Sequence, residues 1–553
     1  MRNLKTSLTA IILLLLFSNS AIAQSTISGN QKLASLCKVW GFLKYYHPAV
    51  ATGKLDWDQA LVDHIKLLTT VNTKEQLNSF YIGWIKSLGD VPRCQSCENN
   101  LPDSLKRNLD LRWVDDKDIF TDSLSNVLHY IQFNRVQHNY YYARIGKTGN
   151  LDFSNEKEYP GMVYPDYPFR LLSLFRYWNI INYFYPYRYA VGKDWNAVLD
   201  EMVPQFKDAP DTLAYHMAML RLVRDLNDTH ANFGTDQLRA VNGNRYSPVM
   251  LSIYNDTVLV TGYYRYAISN KSELLSGDRL LKVEGKDVNQ IIKGKLEFIT
   301  GSNEAVKLRN VVAYILRGKS DSVEVTYERK GHISTKKLKL YPHEELKIDT
   351  AVSGNDTWKM LNNNIGYINM AFLKLDKVDE AMAKFMNTKA LIFDIRNYPY
   401  DIEKKLAYYL NQHPKPFVKT TVRNISYPGT FVLLPAVTVG EENQNYYKGK
   451  VILLVNEETQ SHAEFTAMTL QTAPNVLTIG SQTAGADGNV VKIVFPGGYA
   501  TYMSGTGIYY PDGRETQRVG ITIDIIVKPT AKGVIEGRDE VLEKAVAIAN
   551  EVK

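Results

Sequence analysis

Cysteine is scarce in this chain, with three residues among 553, at Cys37, Cys94 and Cys97. No second Cys/His pair stands at a spacing that would complete a zinc site with Cys94 and Cys97. No strand pattern leads into that C-x-x-C, so a thioredoxin-like redox site is not indicated either. Runs of lysine and arginine are missing and the net charge of +7 is small for this length, which argues against nucleic acid as a partner. Beyond the first two dozen residues no apolar run is long enough to cross a bilayer. A bias toward disorder is also lacking, since 45% of residues are hydrophobic and 22% charged. The length exceeds what one hydrophobic core holds and predicts several domains.

Among what is present, the N-terminus is informative. Arg2 and Lys5 precede an apolar run from Ile11 to Phe17, and Ala21-Ile22-Ala23 sets small residues ahead of Gln24. The pattern predicts a signal peptide over residues 1–23, cut after Ala23. No cysteine directly follows the cut, so a lipid anchor is not indicated. The mature chain is expected to be soluble and exported, periplasmic or secreted. In an oxidising compartment Cys94 and Cys97 are expected to form a local disulfide and Cys37 to be a buried thiol. No cofactor or metal is expected. Tyrosine is abundant, at 36 residues. That suits amphipathic surfaces that meet peptides or glycans without choosing between them.

Residues 24–92 read as a first helical repeat. Leu33, Leu36, Trp40, Leu43 and Tyr46 recur at helical spacing, Pro48 ends that helix, and Trp57, Leu61 and Ile65 begin the next. Residues 93–168 read as an irregular linker holding the cysteine pair. Residues 169–240 read as a second helical repeat, which carries His230. Trp40, Pro48, Trp57 and Asp90 match Trp178, Pro186, Trp195 and Asp228 at one gapless offset of 138, which predicts a duplicated unit. Residues 241–345 change to short alternating strands, such as Val258-Leu259-Val260. Residues 346–553 alternate buried strands with helices, predicting an α/β layer. The expected class is multidomain α/β.

One junction in that last region bears chemistry. The strand ending at Asn456 passes through Glu457 to Gln460 into Ser461-His462-Ala463-Glu464, and a helical pattern follows to Leu470. Ser461 thus stands at a helix N-terminus, where the first N–H groups lack helical partners and are able to hold an oxyanion. Taken alone, a serine there reads equally as a helix cap.

Several segments, in order, resemble the C-terminal-processing and tricorn-core serine peptidases. Leu222 to His230 resembles a helix-ending L-x-D-x-H, and Ser276 to Val288 resembles the G-D-x-[IL]-x-x-[VI]-x-G of PDZ domains. Ile392 to Asn397 is similar to D-x-R-x-N, Asn456 to Glu464 to N-x-x-[TS]-x-S-x-x-E, and Ile479 to Gly485 to I-G-x-x-T-x-G. Gln517 to Asp524 is similar to E-x-x-G-[VI]-x-P-D. The resemblance spans about residues 165–550. It implies a crotonase-like α/β catalytic core, the fold also of interphotoreceptor retinoid-binding protein, preceded by a PDZ-like domain.

The same resemblance implies roles. Ser461 is the expected nucleophile. Ala486 replaces the lysine base of one branch, so His230 is the expected base, with Thr229 orienting it. Gln517 occupies the position of the family's glutamate, and Glu515, two residues away, is the charged alternative. The backbone N–H groups of His462 and Tyr398 are the expected oxyanion donors, with Tyr398-Pro399 replacing the usual Gly-Gly. The His462 ring, about 100° round the helix from Ser461, is a poor base. The expected reaction is hydrolysis of a peptide or protein substrate through an acyl-enzyme. The alternative is a catalytically silent binding protein for peptides or apolar ligands, favoured by Tyr398-Pro399 and the missing lysine and opposed by Ser461 together with His230. A carbohydrate-binding or structural export protein rests on tyrosine content alone.

Overall fold

A computed structural model describes residues 27–147, 149–264, 274–346 and 357–551. The expected signal segment, residues 1–23, lies outside the described residues. Among the described residues no helix is long and apolar enough to cross a membrane.

The N-terminal region is built from two similar helical units. Helices α1 (Gly29–Tyr46), α2 (Trp57–Leu67) and α3 (Lys74–Ser87) form the first unit. The stretch expected to be an irregular linker contains a further helix, α4 (Asp122–Phe133). Its signal is local: Leu124, Leu128 and Ile131 are buried at helical spacing, and the Thr121 hydroxyl caps the start. Polar surroundings hid this pattern in the sequence. Helices α5 (Tyr167–Phe184), α6 (Trp195–Lys207) and α7 (Thr212–Arg224) form the second unit. All three start 138 residues after their counterparts. In each unit two tryptophans exchange indole N–H bonds with each other's carbonyls, at 3.0 and 3.1 Å for Trp40 and Trp57, and 2.7 and 3.0 Å for Trp178 and Trp195. A serine–tyrosine hydroxyl pair also recurs, Ser35 with Tyr81 and Ser173 with Tyr215, each at 2.7 Å. The proline after the first helix ends it in both units because it cannot supply the next N–H.

A small antiparallel sheet follows, with strands β1 (Val249–Tyr254), β2 (Thr257–Tyr263), β3 (Arg279–Val283), β4 (Ser322–Arg329) and β5 (His332–Lys339) in that spatial order. Helices α8 (Val288–Lys295) and α9 (Glu304–Ile315) pack on it around Val258, Leu280, Val311 and Val325. Gly277, at φ +92°, makes the turn into β3.

The C-terminal region is a layered α/β unit. Its sheet has the order β6 (Trp358–Leu361), β7 (Ile365–Asn369), β8 (Ala390–Asp394), β9 (Lys450–Val455), β10 (Val476–Gly480), then Ile525–Ile526. All neighbours after β6–β7 run parallel. Alternation divides the sheet's side chains between two cores: Leu391, Phe393 and Leu453 face one side, Ile392, Ile452 and Leu454 the other. Between β10 and the last strand the chain leaves the sheet as a hairpin, β11 (Val490–Phe495) with β12 (Tyr499–Ser504). Ile493, Phe495 and Met503 of this hairpin are buried in the helical core, where the Tyr177 ring stacks on Phe495 at 5.5 Å. The hairpin thereby carries residues of the α/β region into the half that holds His230.

Candidate active site

Ser461 ends the turn that leaves β9 and is the cap of helix α10 (His462–Leu470). The residues before it explain its position. The Asn456 N–H donates to Thr459 Oγ1 at 3.1 Å, the Glu458 N–H to Asn456 Oδ1 at 3.0 Å, and Thr459 Oγ1 to the Ile395 carbonyl at 2.7 Å. This closes a tight turn against the end of β8. Ser461 itself sits at φ +55°, ψ −122°, outside the usual regions for an L-residue. Such a conformation costs roughly 1–3 kcal/mol and needs surrounding bonds to hold it.

Glu464 supplies those bonds. Its buried carboxylate accepts from Thr483 Oγ1 at 2.5 Å, the Gly485 N–H at 2.8 Å, the Ala486 N–H at 3.0 Å and the Ser461 N–H at 3.3 Å. Burial pushes its pKa up while these bonds pull it down. The Ser461 N–H also donates to the Ala486 carbonyl at 3.0 Å. The loop from Thr483 to Asp487 is therefore locked against the turn that ends at Ser461.

The same loop reaches the second helical unit. Thr229 Oγ1 lies 3.5 Å from the Ala484 carbonyl, and Asn303 Nδ2 donates to the Thr483 and Ala484 carbonyls at 2.8 and 3.1 Å. His230 follows Thr229 just beyond α7. Its side chain is 8% exposed, and its Nδ1 lies 2.9 Å from Ser504 Oγ at the end of β12. Its Nε2 has no hydrogen-bond partner among the described residues. Burial lowers the His230 pKa, and the Asp228 charge acts in the opposite direction.

The other expected residues fall as follows. Thr229 is engaged with Ser302, whose hydroxyl accepts from the Thr229 N–H at 2.8 Å and lies 2.9 Å from Thr229 Oγ1. Gln517 is buried and donates to the Tyr185 hydroxyl at 3.2 Å. Glu515 is paired with Arg107 at 2.6 Å. None of the three is hydrogen-bonded to His230 among the described residues. Each is held elsewhere by a partner from a remote part of the chain. The groups on the imidazole side are instead Asp228 and Ser504. Asp228 stands inside the D-x-H segment and was legible there, whereas Ser504 has no local signature.

At the start of α10 and just after β8, the His462 N–H and the Tyr398 N–H have no hydrogen-bond partner among the described residues. The two side chains are neighbours, with ring centroids 6.1 Å apart. The D-x-R-x-N segment fixes this edge: Arg396 bridges Asp394 and Asp539, both at 2.7 Å, and Asn397 Nδ2 donates to Asn369 Oδ1 at 3.0 Å. The His462 ring lies 3.1 Å from Asp401 and 3.5 Å from Glu403. Elsewhere, Cys94 and Cys97 are joined in a disulfide and Cys37 is a buried free thiol.

A strained serine at a strand–helix junction on an α/β sheet, followed by the unpaired N–H of His462, defines a serine hydrolase class of site. Residues 364–527, which contain Ser461, match the family model of peptidase family S41. By that match the α/β region is an S41 peptidase domain of the C-terminal-processing and tricorn-like kind, and the chain is a serine-type peptidase. Among solved structures, mature CPAF complexed with lactacystin is 14% identical, covering 70% of this chain and 98% of that one at a TM-score of 0.55. Mature CPAF alone is 15% identical, with coverage of 70% and 98% and a TM-score of 0.54. The photosystem II D1 C-terminal processing protease is 16% identical over 66% of this chain and 96% of that one, with a TM-score of 0.38. No curated protein matches the chain significantly.

Proposed function

We propose that this peptidase is exported and cuts peptide bonds through an acyl-enzyme, with Ser461 as nucleophile and His230 as general base. One observation carries the reading: the Thr483–Asp487 loop is bonded to the Ser461 turn on one side and to the chain around His230 on the other. His230 Nδ1 is occupied, so Nε2 is the nitrogen free to work as a base. It takes the Ser461 Oγ proton as Oγ adds to the scissile carbonyl. The oxyanion forms beside the unpaired N–H groups of His462 and Tyr398. The C–N bond then breaks, and the amine leaves with the proton held by His230. Water, deprotonated by the same Nε2, attacks the acyl ester and releases the acid and Ser461. The 241–345 region, PDZ-like in its Gly277-Asp278 turn, is read as a peptide-docking domain, and the 346–553 region as the crotonase-like core.

The test is covalent labelling. A fluorophosphonate should label the purified mature protein at Ser461, and Ser461→Ala should abolish it. Labelling that survives the substitution removes Ser461 as nucleophile. The second reading, a silent binding protein, is favoured by Pro399, which has no N–H to offer where a donor is expected. Absence of labelling in the unsubstituted protein, with peptide binding intact, would support it. Export is checked by the N-terminus of the mature chain, expected at Gln24.

A further inference from the structure

The acid of this site is not where the resemblance puts it. Gln517 carries no charge and is turned to Tyr185, and Glu515 is spent on Arg107. Yet a buried carboxylate does lie beside His230. Asp228 has a fully buried side chain and accepts three bonds. The Ser504 N–H donates to Oδ2 at 2.6 Å, and the Ser504 hydroxyl and the His230 N–H approach Oδ1 at 3.0 and 3.1 Å. The imidazole Nδ1 is 3.7 Å from Oδ1, beyond a direct bond, but 2.9 Å from Ser504 Oγ.

Donor counting then sets the tautomer. A hydroxyl has one proton. An ionised carboxylate has none to give, so Ser504 donates its proton to Asp228. Its oxygen is left as an acceptor toward the ring, and Nδ1 must carry the hydrogen. Nε2 keeps its lone pair, on the side of the ring away from this chain of bonds. We propose that Asp228, acting through the Ser504 hydroxyl, is the positioning pair of His230, in place of Thr229 and Gln517. The inference rests on His230 being the base and adds the group that prepares it.

The duplicated helical unit provides an internal control. Asp90 holds the position equivalent to Asp228, but it is exposed, and Pro92 stands where the second unit has His230. If the aspartate only ended the helix, both copies would use it alike. It is buried in the copy that has the histidine. The hairpin accounts for the other half of the pair, because β12 ends at Ser504 inside the helical core. The groups that face Asp228 from the helical side are the phenols of Tyr177, Tyr185 and Tyr187, whose pKa values burial raises, so they stay neutral near pH 7. Asp228 is the charged group that acts on His230.

The experiment compares the full mature protein with Asp228→Asn, Ser504→Ala and, as a control, Thr229→Val. Fluorophosphonate titration counts competent sites, kcat/KM per site is followed against pH on a fluorogenic peptide, and selective ¹⁵N-histidine spectra report the ring tautomer. Asp228→Asn should lower kcat/KM per site by about 10²-fold or more and move the acid limb to lower pH, since the anion no longer supports the imidazolium. Ser504→Ala should lower the rate about tenfold or more and release the Nδ1–H tautomer in the spectra, with Ser504→Thr restoring part of both. Thr229→Val should leave the tautomer unchanged. An unmoved acid limb and an unchanged tautomer in the first two variants would overturn the proposal. If Asp228→Asn fails to fold, Ser504→Ala decides by the same readouts. Failure of the unsubstituted protein to label would count instead against the Ser461–His230 reading, whatever the spectra show.

Discussion

At the residue scale, two histidines are candidates for a base to Ser461, and their surroundings separate them. His230 is nearly buried with one nitrogen occupied and one free, whereas the His462 ring is directed to Asp401 and Glu403. His230→Ala should lower kcat/KM by roughly 10²- to 10⁴-fold, the usual worth of a general base. His462→Ala should cost much less, because its contribution is a backbone N–H that alanine retains. Steady-state kinetics on one peptide substrate, with site counts from active-site labelling, checks both; equal losses would contradict the assignment. The pH dependence follows from burial. A base must be neutral to act, and desolvation holds the His230 pKa below its ordinary value of about 6.5. Activity should therefore climb through a limb lying below that pH and already be on its plateau near neutrality. A limb centred above pH 7 would be inconsistent with a buried His230.

At the scale of elements, the site is an agreement between two loops. The turn after β9 supplies Ser461 at a strained φ, and the Thr483–Asp487 loop restrains it through Glu464. Glu464→Ala would strand the Gly485 and Ala486 N–H groups and the Thr483 hydroxyl in a buried space. Losing bonds to a buried charge costs roughly 3 kcal/mol or more. We expect a lower urea midpoint and a loss of fluorophosphonate labelling at Ser461, because the serine relaxes from its strained conformation. Labelling at the wild-type rate in a destabilised variant would show that Glu464 serves folding alone. The N-x-x-T-x-S-x-x-E pattern announced this turn, since Asn456, Thr459 and Glu464 all act within a few residues. Partners far away in the chain were not announced: Ser302 for Thr229, Tyr185 for Gln517 and Arg107 for Glu515. Helix α4 also escaped, its apolar spacing interrupted by a polar setting.

At the scale of the whole molecule, one buried ionic cluster ties the parts together. Lys44 of α1 lies 2.6 Å from Glu156, which lies 3.0 Å from Arg176 of α5, and Arg176 reaches Asp58 of α2 at 2.8 Å. Arg176 also approaches the Val494 carbonyl of β11 at 3.3 Å. Both helical units, the segment between them and the β11–β12 hairpin thus share one set of charges. Removing one member of a buried ionic network leaves others unpaired and costs about 3–5 kcal/mol. Glu156→Gln should lower the unfolding midpoint accordingly. It should also lower activity, since the hairpin that carries Ser504 is seated on the same core. Denaturant unfolding followed with near-UV signal and with kcat/KM tests this; a variant that loses stability with its activity fully retained would show that the cluster does not position the hairpin.

What lies within short reach along the chain is legible from the residues alone. Helical periodicity, the 138-residue offset, the strand-to-helix junction at Ser461 and the histidine after the second unit's last helix are all local patterns. Such patterns are legible because backbone geometry repeats over a few residues. Which remote groups meet is settled by long-range packing. Asp228 lies 276 residues from Ser504, and they meet because a hairpin leaves one sheet and buries its apolar face in the other half of the molecule. No spacing along the chain encodes that meeting. It depends on which apolar faces find each other, and the charges and hydroxyls then settle on whatever partners that packing brings within reach.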